Sequence, residues 1–173
     1  MNKSLKKLSK RLFHFNSFAV ISLVLLMVGC NEKQAEQQML KQAVAIESSD
    51  ECHLCGMLIS NFPGPKGEIA EKRSEQVNKF CSTRDMFAYY LQPENKRNVT
   101  QLFVHDMSKM PWDEPNDGHF IDAKTAWFVT GSSKRGAMGQ TLASFSKKEH
   151  AVAFMKEFGG HVISFEEITI DRL

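Results

Sequence analysis

Cys52 and Cys55 are separated by two residues, within the run Cys-His-Leu-Cys-Gly-Met at residues 52–57. Two thiolates at this spacing can converge on one metal ion, especially when a glycine follows and lets the chain curl around it. The same pair also fits a redox-active dithiol or a local structural disulfide. The spacing alone therefore leaves three kinds of site open: a soft metal ion, zinc, and a disulfide or redox pair.

Zinc and redox chemistry each require more than these two cysteines. A structural zinc site needs four ligands, and only Cys81, His53 and scattered histidines are available, so we do not expect a complete one. A thiol–disulfide oxidoreductase places its cysteine pair at a helix start, where the dipole lowers the pKa of one thiol. Residues 56–59 are instead typical of a strand. A thiol–disulfide redox protein using Cys52 and Cys55 stays open as the alternative.

Met57 favours copper(I). Thiolate and thioether together select this soft ion, which is content with two or three ligands. A thioether needs no deprotonation and cannot be lost to a disulfide. Met86, one turn into a predicted helix, could face the segment that carries Met57. Each methionine also has a purely structural interpretation as a core residue, Met86 beside Tyr90.

Other sulfur and imidazole groups are weaker candidates. Cys81 precedes the predicted helix and is interpreted first as a small buried residue, with an auxiliary role at the metal open. Met138 is a possible auxiliary ligand on a predicted loop, and Met107 and Met110 are expected to be exposed on loops. His53 is expected to point away from a site shared by the two cysteines on either side of it.

The first 29 residues have the pattern of an export signal: a basic head, a short apolar core and a small residue before the cut. The sequence Met-Val-Gly-Cys that ends at Cys30 resembles the lipobox of bacterial lipoproteins, in which the cysteine is lipidated. The polar stretch that follows predicts a flexible tether over residues 30–49. We therefore expect a protein anchored to a membrane by lipid, outside the cytoplasm.

The apparent basicity of the chain belongs to this signal. Residues 1–29 hold five basic residues and no acidic one, so removing them from a chain of net charge +2 leaves −3. No basic stripe interleaved with aromatic residues is present, which argues against nucleic acid as a partner. No paired carboxylates, phosphate loop or Ser–His–Asp arrangement is visible either, so enzymatic activity is not indicated.

The pattern beyond the tether predicts an α+β fold of two similar ββαβ units in one compact domain. The units span residues 50–106 and 122–173, joined by a linker or lid at 107–121. The predicted strands and helices, in chain order, are strand-like segments around 52–61 and 67–72, a helix over 82–91, strands over 99–105, 127–130 and 140–145, a helix over 146–158 and a strand over 161–165. Residues 122–126 predict one further helical turn.

These features together resemble the NosL family of accessory lipoproteins of nitrous oxide reductase. The resemblance is carried by Cys30 in its lipobox, Cys-x-x-Cys-Gly-Met-Leu-Ile at 52–59, Phe80 with Asp-Met-Phe-x-x-Tyr at 85–90, Ala-Met-Gly at 137–139, and Gly159-Gly160. It implies a periplasmic copper(I) chaperone for the copper centres of nitrous oxide reductase, working with a membrane ABC-type complex. It also implies two ββαβ units. By resemblance, Cys52, Cys55, Met57 and Met86 are the copper ligands.

Overall fold

A four-stranded antiparallel sheet forms the first half of the domain in this computed structural model, which describes residues 42–173. Its strands run in the order β2-β1-β3-β4. They are β1 (Gly67–Glu71), β2 (Val77–Phe80), β3 (Val99–His105) and β4 (Phe120–Asp122). Helix α1 (Thr83–Tyr90) and the single turn of α2 (Pro93–Lys96) connect β2 to β3.

Helix α1 begins where its sequence predicts. The Ser82 hydroxyl accepts a hydrogen bond from the Asp85 backbone N–H at 3.1 Å, which satisfies one of the free donors of the first turn. Its inner face carries Met86, whose side chain lies against Gly67 of β1. A Cβ atom at that glycine would lie 2.6 Å from the Met86 sulfur. The absent side chain therefore allows α1 to approach the sheet closely.

The second half repeats this plan around a three-stranded antiparallel sheet in the order β8-β5-β9. Its elements are β5 (Trp127–Thr130), a two-stranded hairpin of β6 (Arg135–Gly136) and β7 (Gly139–Gln140), β8 (Ala143–Phe145), α3 (Lys148–Phe158) and β9 (His161–Ser164). Helix α3 ends at Gly159, whose φ of 75° favours glycine. The predicted stop at the glycine pair is confirmed.

Both sheets place the first strand of a unit between its second strand and the strand that follows its helix. All of these pairings are antiparallel. The described residues, 42–173, belong to one compact unit. The predicted fold class, two similar ββαβ units in one α+β domain, is therefore confirmed.

The segment after the cysteine pair was predicted as a strand, and this is wrong. Leu58 makes only an isolated bridge to Glu51, and a 3-10 turn, Ile59–Asn61, follows. Gly56, with φ of 72°, turns the chain back on itself here. The first unit instead takes its second strand from β2, a segment that the sequence pattern left unassigned.

Three boundaries in the second half are refined. The strand predicted over 140–145 is divided into β7 and β8. Helix α3 begins two residues later than predicted, and its N-cap Lys147 makes no side-chain capping bond. The extra turn predicted over 122–126 is present as a 3-10 turn, Ala123–Thr125, capped by the Asp122 side chain.

The linker over 107–121 packs into the domain. Met107 and Met110 are buried in a core cluster with residues of β5, β8 and α3, so the expectation that they are exposed is wrong. The Met107 N–H donates to the Ser144 carbonyl, and the Trp112 carbonyl accepts from the Gly64 N–H. The linker thus contacts both halves, and its last residues belong to β4.

The predicted signal over 1–29, Cys30 and most of the predicted tether lie outside the described residues. The end of that tether is bonded to the domain. The Val44 N–H donates to Glu68 Oε2 at 2.9 Å, and the Ile46 N–H donates to Asp117 Oδ2 at 2.7 Å. Within residues 42–173, no helix combines the length and the apolar composition that crossing a membrane requires.

Candidate metal centre

A tight turn beside the edge of β2 carries Cys52 and Cys55. The Cys52 N–H donates to the Met57 carbonyl and the Gly56 N–H donates to the Cys52 carbonyl, both at 2.8 Å. The His53 N–H donates to the Lys79 carbonyl, also at 2.8 Å, which fastens the turn to β2. These bonds fold the residues between the two cysteines back, so that both thiols approach the end of that strand.

Cys81, at the end of β2, supplies a third thiol. Its sulfur lies 3.5 Å from the Cys55 sulfur, and its S–H donates to Asp85 Oδ2 at 2.9 Å. One ligand atom from each of Cys52, Cys55, Cys81 and Asp85 lies within 4.8 Å of the others. Cys81 is buried, as interpreted from the sequence, and its thiol also lies in this group, which is compatible with the auxiliary role left open for it. Asp85 is a fourth donor that the sequence argument about zinc did not consider.

The three thiols differ in their electrostatic surroundings. The Cys81 side chain and the backbone N–H groups of Cys81, Cys55 and Leu54 favour the charged form of the Cys52 sulfur, which lowers the Cys52 pKa despite burial. Burial raises the pKa of Cys55. The bond to Cys52, burial and the neighbouring Asp85 carboxylate raise the pKa of Cys81. Cys52 is thus the thiol of the three whose surroundings favour deprotonation.

The donor set has both soft and hard chemistry. Three sulfurs suit a soft ion such as copper(I). The Asp85 carboxylate, a hard donor, would complete a tetrahedral set of the kind that zinc accepts. Asp85 is buried at the first turn of α1, and its carboxylate accepts a hydrogen bond from the Cys81 S–H. Asp85 comes four residues after Cys81, in the first turn of the predicted helix. This spacing could have identified it from the sequence as a neighbour of the Cys81 thiol.

The methionines proposed from sequence lie at three different places. Met57 is half-buried and packs against the same core cluster as the cysteines. Met86 is fully buried, with its sulfur next to Gly67. Met138 is 50% exposed in the β6–β7 turn, and its carbonyl accepts from Arg84 at 3.1 Å, which places this turn beside the start of α1.

His53 does not belong to the four-donor group, as expected. It is exposed, and its ring lies edge-on to Tyr89 and Phe80, with centroid distances of 5.1 and 5.8 Å. The His53 ring thus packs on these two aromatic side chains and is not one of the grouped ligand atoms.

A buried polar layer lies beside the thiols, and sequence reasoning missed it. Lys66, Glu68 and His105 are each at most 3% exposed. The His105 ring accepts a bond from the Lys66 backbone N–H and contacts Asp117 Oδ1 at 3.3 Å. Charged residues in a strand usually indicate a solvated face, so no pattern in the sequence distinguishes these residues from surface ones.

Comparison with known proteins points to one family. The sequence profile described as NosL matches residues 43–173. The copper-binding lipoprotein NosL of Stutzerimonas stutzeri is 51% identical over 142 residues, which cover 82% of this chain and 73% of that protein. The copper-binding lipoprotein NosL of Achromobacter cycloclastes is 32% identical over 155 residues, which cover 88% of this chain and 79% of that protein.

A solved structure agrees with these matches. The crystal structure of the copper chaperone NosL from Shewanella denitrificans superimposes with a TM-score of 0.74 at 58% identity, over 75% of this chain and 97% of that one. These relatives are named for binding or carrying copper rather than for catalysis. On the matched profile, the sequence identity and the shared fold, this chain belongs to the NosL family.

Proposed function

We propose that this chain is a copper(I) chaperone, anchored by a lipidated Cys30 on the periplasmic side of a bacterial membrane, that supplies the copper centres of nitrous oxide reductase. The observation that carries this proposal is the convergence of three thiols on one point, on a turn at the edge of the domain. The names of the relatives, copper-binding lipoprotein and copper chaperone, support the same class of protein.

The thiols suit copper(I) because they are soft donors and because the surroundings of one of them favour its deprotonation. Soft sulfur donors select this ion over harder ones. A thiol must lose its proton before it binds a metal, and the groups around Cys52 lower its pKa, which favours the form that binds. Cys52, Cys55 and Cys81 are the proposed thiol ligands, and Met57 and Met86 are the thioether candidates.

The exposure of the turn fits a carrier better than a closed structural site. Cys52 and Cys81 are buried, whereas Cys55 is half-buried and its neighbours Leu54 and Leu58 are 48% and 40% exposed. Structural metal sites are enclosed by their protein ligands. Here the ligands of a recipient can reach the ion from the Cys55 side and displace the thiols one at a time.

The membrane anchor and the partners rest on the sequence pattern and the family resemblance. Two or more acyl chains on Cys30 would hold the protein stably at a bilayer. The resemblance supplies nitrous oxide reductase as recipient and an ABC-type membrane complex as the assembly partner. A Cys30→Ala variant that still partitions with membranes would contradict the anchor. Normal copper loading of nitrous oxide reductase in cells that lack this chain would contradict the delivery role.

One observation favours a second function, a thiol–disulfide redox protein. A thiol whose pKa is lowered, as that of Cys52 is, lies close to two others and could attack a client disulfide. Such enzymes place the attacking cysteine at a helix N-terminus, but here it lies on a turn. The redox function needs the cysteines and has no use for Met57.

An anaerobic copper(I) competition titration against a chromophoric chelator separates the two functions. We expect one tightly bound ion in the wild type and a large loss of affinity in Cys55→Ser and Cys81→Ser. Met57→Leu and Met86→Leu identify the thioether ligand, since only replacement of a bound sulfur weakens affinity. Met110→Leu is the matched control, because Met110 is buried in the other core cluster. Unchanged affinity in all cysteine variants, with disulfide reduction intact in the wild type, would refute the chaperone.

A further inference from the structure

Lys66 is a buried ammonium group without a carboxylate partner. It is 3% exposed, and no other lysine or arginine in the described part of the chain is buried. Its Nζ donates to the carbonyls of Phe62 at 2.5 Å and Pro63 at 3.2 Å. The ion pairs found among residues 42–173 do not include it. An unpaired buried charge is costly, so its retention calls for a compensating anion.

The strand register places Lys66 opposite Cys81. Gly67 pairs with Phe80 across β1 and β2, and the Thr83 N–H donates to the Pro65 carbonyl at 3.2 Å. Lys66 on one strand therefore lies across from Cys81 and Ser82 on the other, where the strands end. Burial lowers the pKa of Lys66 to about 8, while negative charge at Cys81 and at Asp117 acts to raise it. Lys66 thus stays mostly protonated at neutral pH and senses charge on the thiol cluster.

The neighbouring titratable groups make no ion pair with this ammonium. Burial lowers the pKa of His105 to about 4, so its ring is uncharged at neutral pH. Asp117 lines the same cavity and its negative charge acts to raise the Lys66 pKa, but the ion pairs of the described residues do not join the two. Lys79, on the adjacent strand, is paired with Asp50. Lys66 is left as the cation available to balance negative charge that develops on the cysteines.

Copper binding creates that negative charge. One copper(I) with two thiolates carries a net charge of −1, and with three thiolates −2. Such an excess is unfavourable in a partly buried site unless a cation lies near it. Because two backbone carbonyls hold the Lys66 ammonium in place, its charge is fixed before the ion arrives and needs no reorganisation. It also lines a polar cavity of about 270 Å³ together with His105 and Asp117.

We infer that Lys66 is the counter-charge of the copper–thiolate cluster, a positioning residue that raises copper(I) affinity without touching the ion. The inference rests on the proposed function. A neutral residue here should weaken copper(I) binding by roughly ten- to fiftyfold. Coulomb's law with an effective dielectric constant of about 20 gives this range for a unit charge about 7–12 Å from an anionic site.

Three variants test the inference in the anaerobic competition titration. Lys66→Gln removes the charge and keeps a donor for the Phe62 carbonyl, and Lys66→Met removes charge and donor at similar volume. Both should show the weakened affinity. Lys79→Gln is the matched control, since it removes a lysine that is already paired with Asp50, and its affinity should stay within about twofold of the wild type.

Thermal unfolding of the metal-free proteins distinguishes the counter-charge from a structural role. Lys66→Gln, which removes the charge and keeps a donor, should leave the stability of the metal-free protein unchanged or raise it, while copper affinity falls. A residue needed only for folding would lower both. Lys66→Met also leaves the Phe62 and Pro63 carbonyls without their donor, so a loss of stability in that variant alone reports the lost hydrogen bonds. The inference is overturned by wild-type affinity in both neutral variants, or by their failure to fold without metal. Absence of copper binding in the wild type would instead overturn the proposed function.

Discussion

Replacing Glu68 with glutamine should change the pH dependence of stability in a defined way. The Glu68 side chain is fully buried in β1, where Oε2 accepts the Val44 N–H and Oε1 has no hydrogen-bond partner among the described residues. Burial raises the pKa of this carboxyl group from 4.5 to about 7. Glutamine keeps an oxygen for the Val44 N–H but cannot ionise.

The sign follows from proton binding. Between pH 4.5 and 7 the folded protein binds a proton at Glu68 that the unfolded chain does not. The contribution of Glu68 to stability is therefore fully present below pH 4.5 and is lost as pH rises through about 7. A shift of this size corresponds to about 3 kcal/mol. Relative to the wild type, Glu68→Gln should gain about 3 kcal/mol of unfolding free energy between pH 4.5 and pH 8.

His105→Asn supplies a control of opposite sign. Burial lowers the pKa of His105 from 6.5 to about 4, so its contribution is present above pH 6.5 and is lost as pH falls through about 4. The difference between wild type and His105→Asn should therefore shrink by about 3 kcal/mol as the pH falls from 6.5 to 4.

Urea denaturation of the reduced, metal-free proteins at several pH values measures both differences. Subtracting the wild-type curve removes the contributions of the cysteines and of every other group that the variants share. A constant gap between Glu68→Gln and the wild type across this range would refute the reasoning, because it would mean that Glu68 titrates alike in the folded and unfolded chains. Equal slopes in the two variants would refute it as well.

Three substitutions probe how the site is positioned. Gly67→Ala should destabilise the protein by about 1–3 kcal/mol in urea denaturation, because the added Cβ would lie 2.6 Å from the Met86 sulfur; an unchanged midpoint would contradict the close helix–sheet contact. Ser82→Ala should cost about 1 kcal/mol by the same assay, since it removes the cap of α1, and a neutral result would show that the cap contributes nothing. Gly160→Ala should lower the thermal midpoint, because its φ is 94° and the new Cβ would lie 2.4 Å from a β5 carbonyl oxygen; wild-type melting would contradict this.

Local features of the site could be predicted from the sequence, and non-local ones could not. The Cys52–Cys55 pair and the cap at Ser82 depend on residues a few positions apart, so spacing alone identifies them. Cys81 joins the cluster because β2 brings the end of its strand to the turn that carries Cys55. This pairing joins residues 26 positions apart, and β2 itself carries too weak an alternation to be recognised.

Lys66 and Glu68 show a second limit. Charged residues that alternate with uncharged ones over 66–69, at the start of β1, are typical of a strand with one solvated face, yet Lys66 and Glu68 are both buried. Their faces are covered by the segment around residues 44–46 and by the loop that carries Asp117. Those contacts come from distant parts of the chain, so a local pattern contains no trace of them. The two ββαβ units, by contrast, could be predicted because they depend only on the order of strands and helices along the chain.

The duplicated architecture divides labour between its two copies. In both copies the second strand ends on a phenylalanine, Phe80 or Phe145, and one residue separates it from the N-cap of the following helix. That residue is Cys81 in the first copy and Ser146 in the second. A thiol in one copy thus matches a hydroxyl in the other, so the backbone at this position does not itself require a thiol. The first copy alone adds the cysteine pair of the neighbouring turn, and the metal-binding chemistry is therefore confined to one half of a duplicated scaffold.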